Sequence, residues 1–345
     1  MQRLPVGSAL GGLGALFVLS LGAALGFGAV SIPWNEFPAL LINRTSGTAD
    51  GMHALVFWQL RLPRAALAAL TGATLAVAGA MMQGLFRNPL ADPGLVGVSS
   101  GAALGAVLMI VMGERLAVLE PLRGPLLVPM AALAGAWTVT FVILKLGSQG
   151  GTTSVATLLL AGIAINAFVG AVIGLCTFLA DDAQLRSLNF WMLGSLGAAS
   201  WGALWMTLPF CAILLFAAPR SARPLNALCL GESEAGHLGF HPQRLKLKVV
   251  LLTSIGVGGC VAQTGMIGFI GLVVPHLLRL SIGPDHRWLL PGSALLGACL
   301  LLVADTTART VVAPAEMPIG ILTAAVGAPF FLGLLWRQKS KLLWT

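Results

Sequence analysis

The sequence predicts an all-α integral membrane protein, and three observations carry that prediction. Apolar residues make up 57% of the 345 and charged residues only 9%, with a mean hydropathy of +0.91, a balance that a water-solvated surface does not tolerate. The charges are not scattered. They bound charge-free runs at 4–35, 65–86, 93–113, 124–144, 146–180, 187–219, 249–278, 288–304 and 317–336. Each run can cross a hydrocarbon core that takes about 20 residues of helix, or about 17 at the short limit. A soluble enzyme is excluded, and so is a nucleic-acid binder despite the net charge of +8. The runs lack the polar–apolar alternation of barrel strands, which excludes a β-barrel.

The first run opens after Met1-Gln2-Arg3 and continues apolar from Val6 to Val30. It is too long for a secretory core of about 7–15 residues and reads as an uncleaved first span. Three small-residue stripes follow: Gly72, Ala76 and Ala80; Gly101 and Gly105; Asn166, Gly170 and Gly174. Such spacing lets helix backbones approach closely, so each reads as a packing interface of a tight bundle. The sequence has no tyrosine, and tryptophan takes the interfacial role at Trp34, Trp58, Trp191, Trp201, Trp288, Trp336 and Trp344.

With the N-terminus cytoplasmic, the inside segments are 1–5, 84–94, 145–151, 219–248, 279–287 and 337–345. They hold thirteen of the twenty Lys and Arg, as the positive-inside rule expects. The 219–248 loop and the C-terminal tail are both basic, so an even number of crossings separates them. Only three charge-free runs lie between, so 249–278 must cross twice, turning at a shallow tip among Gly256, Gly258, Gly259, Gly265 and Gly268, with Pro275 interrupting the second limb. The expectation is ten spans in a single transmembrane domain over 1–345, with both termini cytoplasmic.

The cores of the first six spans hold no ionisable group of the kind that couples carriers to ions or protons. Asp305 and Arg309, four residues apart, can neutralise one another. His276 beside Pro275 reads as structural. The five cysteines have no CxxC spacing and read as packing residues, with no metal site. No lysine completes a G-x-x-x-x-G-K-[ST] phosphate loop, so active transport would need energy from another polypeptide. In the longest cytoplasmic loop Leu225–Gly239 reads as two short helices broken at Gly231 and ended at Gly239, and spacing alone fits a docking surface for that polypeptide and an ordinary amphipathic connector equally.

Several motifs occur together and in order: Arg61-Leu62-Pro63-Arg64; Gly72-Ala73-x-Leu75-Ala76 and Gln83; Arg87-Asn88-Pro89-Leu90-Ala91-x-Pro93-Gly94; Trp191-x-x-Gly194-Ser195; Leu230-Gly231-Glu232 to Leu238-Gly239; Gly268-Phe269-Ile270-Gly271-Leu272-Val273-x-Pro275-His276-x-x-Arg279; and Glu316-x-Pro318-x-Gly320. With them the chain, over about 55–337, resembles the permease family of ATP-binding-cassette importers for iron-siderophores, haem and cobalamin. The resemblance implies the type II ABC importer permease fold and a homodimer in the bacterial inner membrane. It also implies two cytoplasmic ABC ATPase subunits carrying ATP and Mg, and a periplasmic substrate-binding protein. This chain itself would be a transport subunit without catalytic residues.

By position, Arg61, Arg64 and Arg309 match arginines that receive acidic residues of the binding protein, which exposed guanidinium forks suit. Gly231, Glu232, Ala235, Leu238 and Gly239 match the motif that enters a cleft of the ATPase. Span five and its dimer mate would line the pathway, with Asn166, Gly170, Gly174 and Thr177 offering a surface without fixed charge. The wording around Gly84–Gly94 and Ala304–Pro318 is most similar to the haem-import branch, with a siderophore or cobalamin cargo as the alternative.

Overall fold

The computed structural model describes residues 4–28, 30, 32–42, 50–113, 125–150, 152–313 and 315–342. Seven helices within them are long and apolar enough to cross a bilayer: Val6–Gly26, Met52–Phe86, Leu127–Gly147, Val155–Leu179, Trp201–Leu230, Pro242–Thr264 and His286–Ala308. Three shorter apolar helices, Val98–Met112, Ile270–Ser281 and Ile319–Gly333, bring the series to the expected ten.

In chain order, α1 is Val6–Gly26, followed by the short α2 (Phe37–Ile42) and α3 (Asp50–Leu55). A π-helical turn, Val56–Arg61, joins α3 to α4 (Leu62–Phe86). Next come α5 (Val98–Met112), α6 (Leu127–Gly147), the two-residue strands β1 (Ser148–Gln149) and β2 (Thr152–Thr153) and α7 (Val155–Leu179). The strands pair antiparallel, Ser148 opposite Thr153. Then follow α8 (Asp182–Leu193), α9 (Trp201–Ala217), α10 (Ala222–Leu230) and α11 (Glu232–His237). The chain closes with α12 (Pro242–Thr264), α13 (Ile270–Ser281), α14 (His286–Ala308) and α15 (Ile319–Leu342).

Helix α4 is the axle, buried along 83% of its most apolar stretch and packed against α9, α12, α13 and α14. Its small-residue stripe is the reason. A Cβ on Gly72 would lie inside the carbonyl of Gly297 on α14, so the two backbones touch where side chains would otherwise hold them apart. The Gly101 stripe does the same against Gly135 of α6. The third stripe differs from expectation. Nothing lies within 4 Å of a Cβ built on Gly170 or Gly174, and the α7 stretch is only 17% buried.

Segments assigned to one side by charge parity meet one another. Leu4 N donates to Ser281 O at 3.0 Å, and Lys246 Nζ reaches Thr153 O at 2.6 Å. Asn226 bonds the His286 ring at 2.7 Å. At the opposite end Arg64 meets Asp305 and Glu316.

The double crossing of 249–278 holds, but its geometry is corrected. The first limb starts at Pro242, inside the basic loop, and runs 23 residues; the second has only 12. Gly256, Gly258 and Gly259 lie within α12, buried. The turn falls at 265–269, where Gly265 has φ +67° and Phe269 φ +69°. Pro275 stays inside α13. Arg87-Asn88-Pro89 forms a tight exit from α4: Arg87 is left-handed at φ 49° and the Asn88 side chain accepts from Leu90 N at 2.9 Å. Trp58 and Trp201 are linked at the end that holds Arg64, Trp201 Nε1 donating to Trp58 O at 2.9 Å. The side chains of Trp34, Trp336 and Trp344 lie outside the described residues.

Candidate functional site

Arg61, Arg64 and Arg309 come together at one end of the bundle around a pocket of about 220 Å³ that Glu316 also lines. Their expected exposure is corrected. Arg61 is 3% and Arg309 9% exposed, and the Arg64 side chain 12%. The cause is the carboxyl end of α1, whose last carbonyls have no helical partner in apolar surroundings. Arg61 Nη1 donates to Leu25 O and Gly26 O, both at 2.7 Å, and its Nη2 to Val30 O. Arg309 Nη2 donates to Ala24 O. Cations at a helix C-terminus also suit its dipole.

The Asp305–Arg309 pairing expected from spacing is the looser one, at 3.7 Å, with Arg309 Nε left without a hydrogen-bond partner. Arg64 holds the buried Asp305 carboxylate instead, at 2.9 Å from both Nε and Nη2. Its Nη1 takes Glu316 at 2.8 Å. Glu316 is the cluster's accessible acid, 46% exposed, against 2% for Asp305. Sequence reasoning quoted Glu316 within a motif but assigned it no partner.

At the other end, α10 and α11 break at Gly231 (φ +142°) and end before Gly239 (φ +83°). Ala235 is buried at the root. Leu230 and Leu238 stand 70% and 59% exposed, apolar side chains presented outward. Glu232 turns inward, its carboxylate 2.7 Å from Lys246 Nζ, which also donates to Thr153 O. Thr153 N donates to Gln243 Oε1 at 2.7 Å. The start of α11, α12 and the strand leading into α7 are thus tied through one lysine that is 1% exposed. Sequence reasoning counted Lys246 only as an inside-facing charge.

Asn226 fastens α10 to the start of α14, donating to Asp285 Oδ1 at 2.7 Å and accepting from His286 N at 2.9 Å. The Arg287 guanidinium, hydrogen-bonded to the same carboxyl, holds Asp285 well below the usual carboxylate range.

Of the expected pathway residues, Gly170, Gly174 and Thr177 lie exposed on α7 beside Phe168 and Phe178, 66% and 84% exposed. Asn166 is engaged: its Oδ1 accepts from Ser100 at 2.5 Å and its Nδ2 donates to Gly94 O at 3.1 Å. His276 packs edge-on against Phe330, ring centroids 6.1 Å apart. Among the described residues no group of His, Cys, Asp or Glu could hold a metal ion.

A bundle of ten apolar helices, with a basic cluster at one end and a paired-helix loop at the other, is the architecture of a multi-span membrane protein. The model of the FecCD transport family matches residues 15–337, and the chain belongs to that family. It is 49% identical over 330 residues to the hemin transport system permease protein HmuU of Yersinia pestis, covering 94% of each chain. It is 41% identical over 325 residues to the vitamin B12 import system permease protein BtuC of Serratia proteamaculans, covering 94% of this chain and 93% of that one. An inward-facing structure of a metal-chelate type ABC transporter superposes with a TM-score of 0.83 at 31% identity, covering 95% of this chain and 98% of that one. The chain is a permease subunit of an ABC importer, a non-enzymatic part whose family works as a dimer with ATPase and binding-protein partners in the bacterial inner membrane.

Proposed function

We propose that this permease imports haem. What supports haem over the other cargoes is the 49% identity to a hemin permease, against 41% to a vitamin B12 permease. The α7 face, open along Gly170, Gly174 and Thr177 and free of fixed charge, suits a bulky, largely apolar cargo but does not separate haem from cobalamin or a siderophore complex. Two copies of the single 1–345 domain face each other across α7. Both termini are cytoplasmic, the charge-rich segments facing inside.

Two ATPase subunits, which carry ATP and Mg, seat on Leu230 and Leu238 around the Gly231, Glu232, Ala235 and Gly239 framework. The periplasmic binding protein docks an acidic side chain at the Arg64 pocket, with Arg61 and Arg309 supplying field from behind, because buried guanidiniums still raise the local potential.

The test is uptake into proteoliposomes holding the permease, its ATPase and the binding protein, with haem, a ferric siderophore and cobalamin offered in parallel. ATP-dependent accumulation of haem alone is expected. Accumulation of the siderophore complex or cobalamin in place of haem, or no ATP-dependent flux of haem, overturns the cargo.

A further inference from the structure

Beside the coupling loop lies a groove of about 460 Å³ lined by Arg220, Arg223, Arg287 and Phe240. Arg220 Nη1 donates to Phe216 O at 2.8 Å, leaving the rest of its fork open. Arg287 shares its fork with Asp285 at 2.7 Å. Arg223 makes no hydrogen bond or ion pair among the described residues. Three guanidiniums therefore line the groove and only Arg287 is paired with a carboxylate, a concentration of donors that suits a phosphate.

The groove has an apolar continuation. Gly202, Trp205, Pro209, Ile213 and Phe216 fall on one side of α9 at helical spacing, with Arg220 on the 3-10 turn just past its end, and all are exposed. Trp205, Ile213 and Phe216 are 63%, 49% and 76% exposed. The opposite stripe, Ala203, Thr207, Cys211 and Leu214, is buried against the bundle. From Arg220 through Phe216 to Ile213 the stripe runs about 10 Å at 1.5 Å per residue, and Trp205, about 22 Å from Arg220, lies near the other end of α9. One leaflet of a ~30 Å hydrocarbon core is about 15 Å deep.

From this juxtaposition we infer that the groove is a binding site for an anionic phospholipid, its phosphate among Arg220, Arg223 and Arg287 and an acyl chain along Phe216 and Ile213. A guanidinium cluster at the head of an apolar stripe within one leaflet matches the two halves of one lipid molecule. An ATPase surface matches only the first half, and the outward leucines Leu230 and Leu238 lie at the far end of α10 and beyond it. The inference places this end on the cytoplasmic leaflet, as the proposed topology does, but does not depend on the cargo.

The experiment needs neither uptake nor ATPase. The delipidated permease in detergent is titrated with dioleoyl phosphatidylglycerol or dioleoyl phosphatidylcholine, and bound lipid is counted by native mass spectrometry. Inorganic phosphate is tested separately by thermal shift. Combined R220Q, R223Q and R287Q should weaken phosphatidylglycerol binding at least tenfold, about 1.4 kcal/mol, leaving the weak phosphatidylcholine binding as it is. F216S should weaken phosphatidylglycerol while leaving any phosphate response unchanged, and R186Q at the opposite end should change nothing.

If the triple variant does not stay monodisperse, R223Q alone is read, because that side chain holds no other group. Equal binding of the two lipids, or unchanged phosphatidylglycerol binding in R223Q and the triple variant, overturns the site. Phosphate protection matching that of phosphatidylglycerol, with F216S silent, identifies a free-anion site and overturns the lipid.

Discussion

Replacing Glu316 with glutamine should tighten docking of the binding protein. Glu316 occupies the outward fork of Arg64 at 2.8 Å, so an incoming carboxylate competes with a resident one. Its removal costs the fold little, since ion pairs with an exposed partner contribute roughly 0–1 kcal/mol. Its effect on an arriving acid is larger. For like charges about 7 Å apart, 332/(εr) gives ~0.6 kcal/mol of repulsion at a dielectric of about 80 and ~2.4 kcal/mol at about 20. Removing that repulsion strengthens docking roughly 3- to 60-fold.

The assay is association of the purified binding protein with the permease in nanodiscs, read at low and high salt against D182N. That control removes the same charge from an exposed position outside the pocket. The gain should shrink as salt rises, because exposed charges are screened over about 8 Å at physiological ionic strength. Unchanged or weaker docking by a thermally intact E316Q would refute the reasoning. Reversing all three arginines to glutamate is a poorer test, because carboxylates at 61 and 309 would face the α1 carbonyls and unfold that end whatever the docking role.

Arg61→Met should lower stability by at least about 2 kcal/mol, since it strands the carbonyls of Leu25, Gly26 and Val30; an unchanged Tm in detergent would contradict the closure of α1. Lys246→Met should preserve folding and ATP hydrolysis while cutting cargo uptake per ATP roughly tenfold, an effect of about 1.4 kcal/mol on the barrier, because Glu232 loses its tie to Thr153; full uptake by this variant would discount the tie. Gly72→Leu should abolish a monodisperse product, whereas Gly170→Leu should fold and then fail in dimer assembly or transport; equal behaviour of the two would mean that the α7 face is packed like α4. Asp285→Ala should cost about 1 kcal/mol as a lost helix cap. Because the folded carboxyl titrates below its unfolded value, that difference should hold from pH 8 to about 5 and fade only as the pH falls through the folded pKa, below about 3.9; a difference that vanished near pH 6 would contradict the pairing with Arg287.

Topology was legible because desolvation acts locally. A charge inside hydrocarbon costs several kcal/mol, so charge positions mark span ends, and parity exposed the hidden crossing at 249–278. The break at Gly231 was legible for a similar reason, since φ +142° belongs to glycine's range. The glycines of α12 misled. Gly256 and Gly259 resemble turn residues, yet they make room for Leu214 and Phe210 of α9, a contact that no local pattern announces. The arginine cluster was legible in membership but not in state, because Arg64 meets Asp305 across 241 residues of chain. Lys246 hid among other loop cations, and nothing local distinguishes a buried lysine from a solvated one.

The closure of α1 sets an order on biogenesis. Its first span leaves the ribosome early, but the guanidinium that takes Ala24 O belongs to Arg309, 285 residues later. At roughly 5–20 residues per second, synthesis of that interval takes about 14–57 s. Throughout it Ala24 O lacks Arg309, so the first helix inserted is among the last to be locked. A nascent chain stalled before α14 is therefore an incomplete bundle with a loose first helix, open to a membrane protease that the finished subunit excludes.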